Sequence, residues 1–555
     1  MAQVLISRGH REPAAARAFL EALEEHPASA FAGIGLAVET ILDHAGRGAR
    51  ITIHGDYDVD GICSTAILVR TLRELGANVD SFIPDRAEGY GLSLATVERL
   101  AARGTELLIT ADCAITAVEE VAAARELGLS VVVTDHHRPR SDGRLPDAPI
   151  VHPALCGYPC RELCATAVAY KLAEALVAAS GGEVRALRRD LDLVALATVA
   201  DVVELVGENR TLLRRGLRAL AATAKPGLRA LMAVAGIEPG KLDERSIGFG
   251  LAPRLNAAGR LYRADAGLEL ILTEDPARAA QIAQELDRAN HERREIERRI
   301  RFEAEAQIAE LGERDAYVLA GERWHPGVVG IVASRLVEQS GRPVVMLALD
   351  GEIARGSGRS IDGFDLLAGL EACSAHLARF GGHRAAAGME LRRGDVESFA
   401  AALDAHAAEA MRSLQATIVE KVDAVLGAGE LSIELAEELH MLAPFGRGNP
   451  PVCLMVAEAS LHDPRPMGEG RHLRFTVASR GARARAVSFG QGGRLPVEEG
   501  TPVDATFSLE VNEWNGVSEP RLVLRRAQAL ARPAEVEPAA ATGAGAEASA
   551  ELALF

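Results

Sequence analysis

Between His54 and Asp60 the segment HGDYDVDG (54–61) sets one imidazole beside the carboxyls of Asp56, Asp58 and Asp60. Carboxylates packed this closely repel one another and destabilise the turn unless a counter-charge is supplied. A divalent cation supplies it, and mixed carboxylate and imidazole donors suit Mn²⁺ or, less selectively, Mg²⁺. An EF-hand is excluded despite the DxDxDG core: loop position 12 is Ile67 instead of Glu, and a strand precedes the segment. The pattern recurs. Asp112 closes ITAD, Asp135, His136 and His137 close VVVTDHH, and Asp201 lies in the apolar stretch ATVADVV, where a buried acid needs a partner. The four segments carry enough oxygen and nitrogen donors for two cations. Paired ions are the usual apparatus of phosphoester cleavage, one activating a water and both stabilising charge at phosphorus.

Other segments fit anions. Arg355, Ser357 and Arg359 of RGSGRS combine two guanidiniums, a hydroxyl and permissive glycines. Gly381-Gly382-His383 puts an imidazole on a loop that a phosphate backbone can approach closely, or forms a plain turn. No Walker-type phosphate loop is found, so ATP dependence is not expected. Cys156, Cys160 and Cys164 match neither common zinc nor iron–sulfur spacing and read as small buried hydrophobes. Trp324 reads as core, and Phe489 and Trp514 as residues on which bases could stack.

These residues need a scaffold. From residue 50 apolar β-rich runs alternate with helical stretches: 51–58, 79–85, 106–113 and 129–137 read as strands, with helices between them. Such alternation predicts a parallel sheet with crossover helices, and ligands then collect at the carboxyl ends of its strands. The segment 276–310 is charged and polar nearly all round, as in a helix bridging two domains. A second α/β pattern follows, and then about five strands between Gly/Pro-rich turns, which suggest an OB-like β-barrel. The expected organisation is an N-terminal lead-in (1–45), a catalytic domain (46–275), a connecting helix (276–312), a second α/β domain (313–410), a helical connector (411–444), the barrel (445–530) and a flexible tail (531–555). The fold class is α/β with an added barrel.

Composition bounds the rest. The 555 residues are 48% hydrophobic and 25% charged, which excludes a largely disordered chain. Lys and Arg number 61 against 78 Asp and Glu, a net charge of −17. That excludes a basic nucleic-acid coat but not a local positive groove. No apolar run is long enough to span a membrane, the N-terminus lacks a secretory h-region, and seven cysteines make no disulfide framework, so a cytoplasmic location is expected.

HGDYDVDG, the Asp112 strand, TDHH and ATVADVV resemble motifs I to IV of the Asp-His-His (DHH) phosphoesterase superfamily. APRLNAAGR (252–260), WHPGVVGIVASRL (324–336), ARGSGRS (354–360), FGGHRAAAGM (380–389) and LAPFGRGNP (442–450) narrow the resemblance to its bacterial single-strand-specific exonucleases. It covers roughly residues 45 to 530. It implies a DHH domain, a DHH-associated domain and an OB-fold. It also implies two Mn²⁺ or Mg²⁺ ions and 5′→3′ hydrolysis of single-stranded DNA to 5′-mononucleotides, in repair and recombination. His54, Asp58, Asp60, Asp112, His136 and Asp201 would be metal ligands, with Asp112 bridging and Asp56 in support. His137 would face the scissile phosphate and Asp135 would orient its neighbours, the pair acting as the catalytic residues. Arg355, Ser357 and Arg359, with Arg86, would hold the terminal 5′ phosphate, while His383, Arg254, Asn256 and Arg260 would contact the strand. Two departures stand out: Ala114 where relatives carry Gly, and His152 where Asn is expected. A phosphodiesterase for oligoribonucleotides or cyclic dinucleotides is the alternative, and the barrel speaks against it. Implied partners are single-stranded DNA, a single-strand-binding protein and a RecQ-type helicase. The terminal Leu552, Leu554 and Phe555 resemble a sliding-clamp peptide, with Glu551 in place of the usual Gln; the other reading is an end packed back on the barrel.

Overall fold

The computed structural model describes residues 1–86, 89–261, 263–413, 420–490, 492–514 and 517–530. Two compact units form: residues 17–419 with 444–450, and residues 1–16 and 420–443 with the chain from 451 onward. The clamp-like end of the tail lies outside the described residues.

In the larger unit, strands β1 (Ile51–His54), β2 (Val79–Phe82), β3 (Leu107–Ala111), β4 (Ser130–Thr134) and β5 (Ile150–Val151) form one sheet in the order β2-β1-β3-β4-β5. Every pairing is parallel. Both faces are covered, which is why the strands read as unbroken apolar runs. Leu107 and Ile109 enter the core shared with helix Val59–Glu74, whereas Leu108, Val131 and Val133 enter the core under helices Leu94–Ala102 and Val118–Glu126. Register sets the functional edge: His54 pairs with Thr110, and Ala111 with Thr134. Asp112 and Asp135 therefore leave neighbouring strands side by side.

The second sheet orders β6 (Tyr317–Gly321), β7 (Val344–Asp350), β8 (Ile353–Arg359), β9 (Arg379–Gly382) and β10 (Ala386–Arg392) as β6-β7-β8-β10-β9. Helix Pro276–Leu311 joins the two sheets. It is not polar all round as expected. Ile282, Ala283 and Leu286 enter the first core, and Ile300 and Ala304 the second. The alanines at helical spacing supply a narrow buried stripe that the charge count hides.

In the smaller unit, β12 (Leu454–Met467), β13 (His472–Ser479), β14 (Ala482–Ser488), β15 (Val503–Trp514) and β16 (Val517–Ala529) close into a five-stranded barrel through β12–β15 pairing. The β14–β16 contact is parallel and the other barrel pairings are antiparallel. The expected helical connector contains a strand, β11 (Ala424–Leu426), added parallel to β12. Asp423 precedes β11 and accepts from Arg8 at 2.9 and 2.8 Å and from the Cys453 N–H at 2.9 Å, which ties helix Ala2–Ser7 to the barrel unit.

Candidate metal centre and phosphate pocket

The metal-type donors converge at the carboxyl edge of the first sheet. Asp58 caps helix Val59–Glu74, its Oδ1 accepting from the N–H groups of Asp60 and Gly61 at 3.0 and 3.1 Å. The turn is tight because Gly61 lies against the backbone of Asp56; a Cβ there would sit 2.5 Å from the Asp56 nitrogen. Asp60 is buried and accepts from the N–H groups of Ala165 and Thr166, both at 2.7 Å, at the start of helix Ala165–Ala179. That helix end holds its charge in place.

Three groups of donor atoms lie within 4.8 Å of one another: Asp56, Asp58 and Asp112; Asp60, His136 and Asp201; Asp112, His136 and His137. Asp112 and His136 each join two of them. The donors are under electrostatic stress. Burial, and then the charge of Asp58, pushes Asp56 up to about 8. Burial, then Asp60 and Asp58, pushes Asp201 up to about 8. Burial, followed by the neighbouring acids, raises the Asp112 carboxyl well above its ordinary range. His136 is held low by burial despite the carboxylates around it. Its Nε2 faces Asp112 Oδ1 at 3.2 Å with no hydrogen bond between them. Closely set oxygen and nitrogen donors that repel, and that face one another unbonded, fit divalent cations of the Mn²⁺ or Mg²⁺ kind.

Backbone strain collects at the same edge. Asp112 has φ 69° and Ala114 φ 82°. Left-handed geometry is tolerated by Asp and costly for Ala. A Gly at position 114, expected from the resemblance, would take this geometry without strain, and this chain keeps the turn with a strained residue.

Asp135 is enclosed by donors. It accepts from the N–H groups of Ile115, His136 and His137 and from His137 Nδ1, the last at 2.8 Å. Burial opposes its charge, but these bonds win and hold its pKa below the ordinary value. Expected among the catalytic residues as the one that orients its neighbours, it bonds the backbone of both histidines and the His137 ring. Burial likewise disfavours the His137 imidazolium, yet the bond and charge of Asp135 outweigh it and raise His137 to about 9. His152, the other departure, is buried; its Nε2–H donates to the His137 carbonyl at 2.7 Å, and its Nδ1 accepts from Ala154 and Leu155. One donor and one acceptor are what an Asn amide would offer, so the loop survives the exchange.

A second cluster has the opposite sign. The Arg86 guanidinium lies 4.0 Å from the Tyr57 ring centroid. Arg260 donates to the Gly327 carbonyl at 2.7 Å. Burial, then the charges of Arg86 and Arg293, lowers its pKa to about 10. Arg359 donates to Ser357 Oγ at 2.7 Å, and burial lowers its pKa. Helix Pro326–Ser340 makes room for them: a Cβ on Gly330 would lie 3.0 Å from both Arg359 Nη2 and Ser357 Oγ. Half-buried guanidiniums, with Arg86 repelling Arg260 and a hydroxyl beside Arg359, fit a phosphate.

The remaining expected contacts divide. His383 is exposed, and its pKa is lowered by burial and then by the charges of Arg138 and His137, which brings it to the metal side. Asn256 accepts from the Val59 N–H at 3.1 Å and so braces the metal loop. Arg254 is buried and engages Asp287 and the Gly250 carbonyl, and Arg355 pairs with Glu390 at 2.7 Å. Neither guanidinium is grouped with the pocket arginines. Trp324 is core, its Nε1–H donating to Glu303. The seven cysteines are free thiols. Tyr90 escaped the sequence reading. Its hydroxyl donates to the Asp112 carbonyl at 2.8 Å and lies 2.9 Å from His137 Nδ1. A tyrosine just after PDRAEG offers only proximity to Arg86 as a signal.

Fold and centre together define a phosphoesterase of the DHH class. A profile of the DHH family, N-terminal domain, matches residues 50–198, the DHHA1 domain matches 314–409, and the RecJ OB domain matches 422–526. Among curated proteins, the single-stranded-DNA-specific exonuclease RecJ of Bacillus subtilis is 38% identical over 541 residues, covering 95% of this chain and 67% of that protein. RecJ of Escherichia coli is 36% identical over 88% of this chain and 89% of its own. The crystal structure of RecJ from Thermus thermophilus in complex with Mn²⁺ superposes with a TM-score of 0.83 at 32% identity, covering 96% of this chain and 76% of the other. The chain belongs to the RecJ family.

Proposed function

We propose that this chain is a metal-dependent exonuclease that degrades single-stranded DNA from its 5′ end and releases 5′-mononucleotides. The observation that carries this reading is the pairing of two oppositely charged, unsatisfied clusters. Asp56, Asp58 and Asp112 bring carboxylate oxygens within 4.8 Å of one another, as a cation would need. Arg86 and Arg260 form an anion site whose charges act on Asp56 and Asp58 respectively. A terminal phosphate on the arginines places the next phosphodiester at the metal donors, so each cut releases one nucleotide and polarity follows from geometry.

His54, Asp58, Asp60, Asp112, His136 and Asp201 would hold the ions, with Asp56 in support. When bound, divalent ions supply an activated water and neutralise charge developing at phosphorus. The protein supplies the rest. Asp135 and Tyr90 fix the His137 ring, and the Asp135 carboxylate favours its protonated form. It can donate to a phosphoryl oxygen or to the departing 3′ oxygen. Ser357 and Arg359 orient the terminal phosphate, and His383 adds a donor on the metal side. The barrel's exposed Phe489 would offer a base a stacking surface, and the Trp514 side chain lies outside the described residues.

Family membership supports single-stranded DNA as the substrate, and on the resemblance we assign a single-strand-binding protein, a RecQ-type helicase and, through Leu552, Leu554 and Phe555, a sliding clamp as partners. No helix of the described residues is long and apolar enough to cross a membrane. Free thiols suit a cytoplasmic setting. The test supplies Mn²⁺ with 5′-labelled single-stranded DNA, blunt duplex and a cyclic dinucleotide. Labelled mononucleotide from the single strand at the first time points, with the others inert, is the expected result. A label retained on shortening strands overturns the polarity, and preferential hydrolysis of the cyclic dinucleotide transfers the chain to the alternative activity.

A further inference from the structure

One strap of chain is unexplained by the metal centre and the phosphate pocket. Residues 444–450 leave the smaller unit's sequence and fold with the larger one. The strap is a closed turn: Gly446 N–H donates to the Asn449 carbonyl at 2.8 Å, and Asn449 N–H returns to Gly446 at 3.1 Å. It is pinned on two segments. The Leu205 N–H donates to the Arg447 carbonyl at 2.8 Å, and the Phe445 N–H donates to Glu244 at 3.0 Å. Gly446 and Gly448 allow the close approach, since a Cβ would lie 2.7 Å from Leu205 Cδ1 or 3.2 Å from Glu204 Cβ. The strap therefore clamps the segment just after Asp201 to the segment just before the π-helical turn Ser246–Leu251.

Three side chains on these clamped segments are exposed without a structural reason. Val202, next to Asp201, is 60% exposed and has φ 56°. Positive φ in a β-branched residue is a true outlier, and such strain persists where surrounding structure enforces it. Phe249 is 74% exposed on the π-helical turn, which packs on the helix ending at Ala200; a Cβ on Gly248 would lie 3.5 Å from Val199 Cγ1. Arg447 stands at the tip of the strap with its side chain 60% exposed and Glu204 3.8 Å away. Its charge is felt at Asp201.

We propose that Val202, Phe249 and Arg447 form the seat for the second nucleotide of the bound strand. Val202 and Phe249 receive its base, and Arg447 contacts the phosphate that follows it. The inference rests on the exonuclease reading. Position gives the assignment. The donor atoms form an Asp56–Asp58–Asp112 group beside the terminal-phosphate arginines and an Asp60–His136–Asp201 group beside the strap. A strand anchored by its first phosphate on the arginines and cut between the groups continues past Asp201. An aromatic ring, an apolar neighbour and one guanidinium are what a base and the next phosphate require. Arg447 anchors the strap through its backbone carbonyl, so truncating its side chain leaves the fold in place.

The test uses the full chain, a 5′-phosphorylated oligothymidylate and fluorescence anisotropy with divalent ions chelated. Replacing the third phosphate by a neutral methylphosphonate is expected to weaken binding about fivefold in the parent protein and not at all in Arg447→Ala. Removing the second base is expected to weaken binding about tenfold in the parent and to have little effect in Phe249→Ala. Equal losses in parent and variant, or no loss in the parent, overturn the seat. Hydrolysis of the same strands with Mn²⁺ separates the two readings. Strands that show these differences and are not cut leave the seat standing and sink the exonuclease assignment. Strands that are cut by the parent but bind without regard to either modification sink the seat alone.

Discussion

The metal centre and the guanidinium pocket are built on one physical device with opposite signs. In the first, burial and mutual repulsion push Asp56 and Asp201 up to about 8. In the second, burial and repulsion bring Arg260 down to about 10. Each cluster is costly alone and becomes favourable when an ion of the other sign arrives. Their scaffolds differ. The acids sit where the ends of three strands, one helix N-terminus and one helix C-terminus fix them from one domain's topology. The arginines come from both α/β domains: Gly327 lets the second domain's helix approach Arg260, and Gly330 makes room for that domain's own Arg359. A resident ion needs a rigid site, and a terminal phosphate that must be released after every cut suits a shared one. Asp423 and Arg8 in the barrel unit show the contrast: a buried ion pair satisfied within the chain carries no such demand.

The largest effect should come from the acid common to two donor groups. Asp112→Asn should lower turnover by about a thousandfold or more, while the metal-free variant melts no lower than the parent, because a repelled buried carboxyl has been removed from a left-handed position that Asn also tolerates. Substantial nuclease activity in a folded variant would take Asp112 out of the metal site. Next, His152→Ala should cost about 2 kcal/mol in denaturant unfolding, since it leaves the His137 carbonyl and two N–H groups unmet. His152→Asn should recover most of it, and equal losses would show that the ring's volume matters more than its bonds. Ala114→Gly should change stability least, with a gain of about 0.5 kcal/mol as relief of the left-handed Ala exceeds the added chain entropy. A loss would mean that the methyl packs usefully.

The paired ions give a pH control. Burial opposes the Asp423 charge, but the bonds from Arg8 and Cys453 depress its pKa. A depressed carboxyl stabilises fully above its unfolded value of about 4, and that contribution fades as pH falls through the lower folded value. Unfolding of the barrel unit followed between pH 5 and pH 2 should lose this increment in the parent and lack it in Asp423→Asn. Identical slopes would remove the pair from the stability of that unit.

Much of the centre was legible because it is local. HGDYDVDG and TDHH each carry several donors within one turn, and strand order alone brings Asp112 beside Asp135. The five barrel strands were legible from turns and alternation. What escaped depends on distant packing. Tyr90 reaches Asp112 and His137 only through tertiary approach. Arg254 and Arg355 carry the same guanidinium as Arg359, and only the fold shows that Asp287 and Glu390 take them. The buried stripe of helix Pro276–Leu311 was masked by its charge, and β11 is too short to stand out before pairing with β12.

The central claim is that the arginine pocket waits for a terminal phosphate while the acids wait for cations. The measurement is kcat/KM on single-stranded DNA bearing a 5′ phosphate or a 5′ hydroxyl, with Mn²⁺, for the parent and for Arg359→Ala. The account predicts a preference for the phosphorylated end of about tenfold or more in the parent, falling toward equality in the variant as a charge-assisted bond is lost. The same preference in both proteins, with activity reduced equally on the two ends, would contradict it.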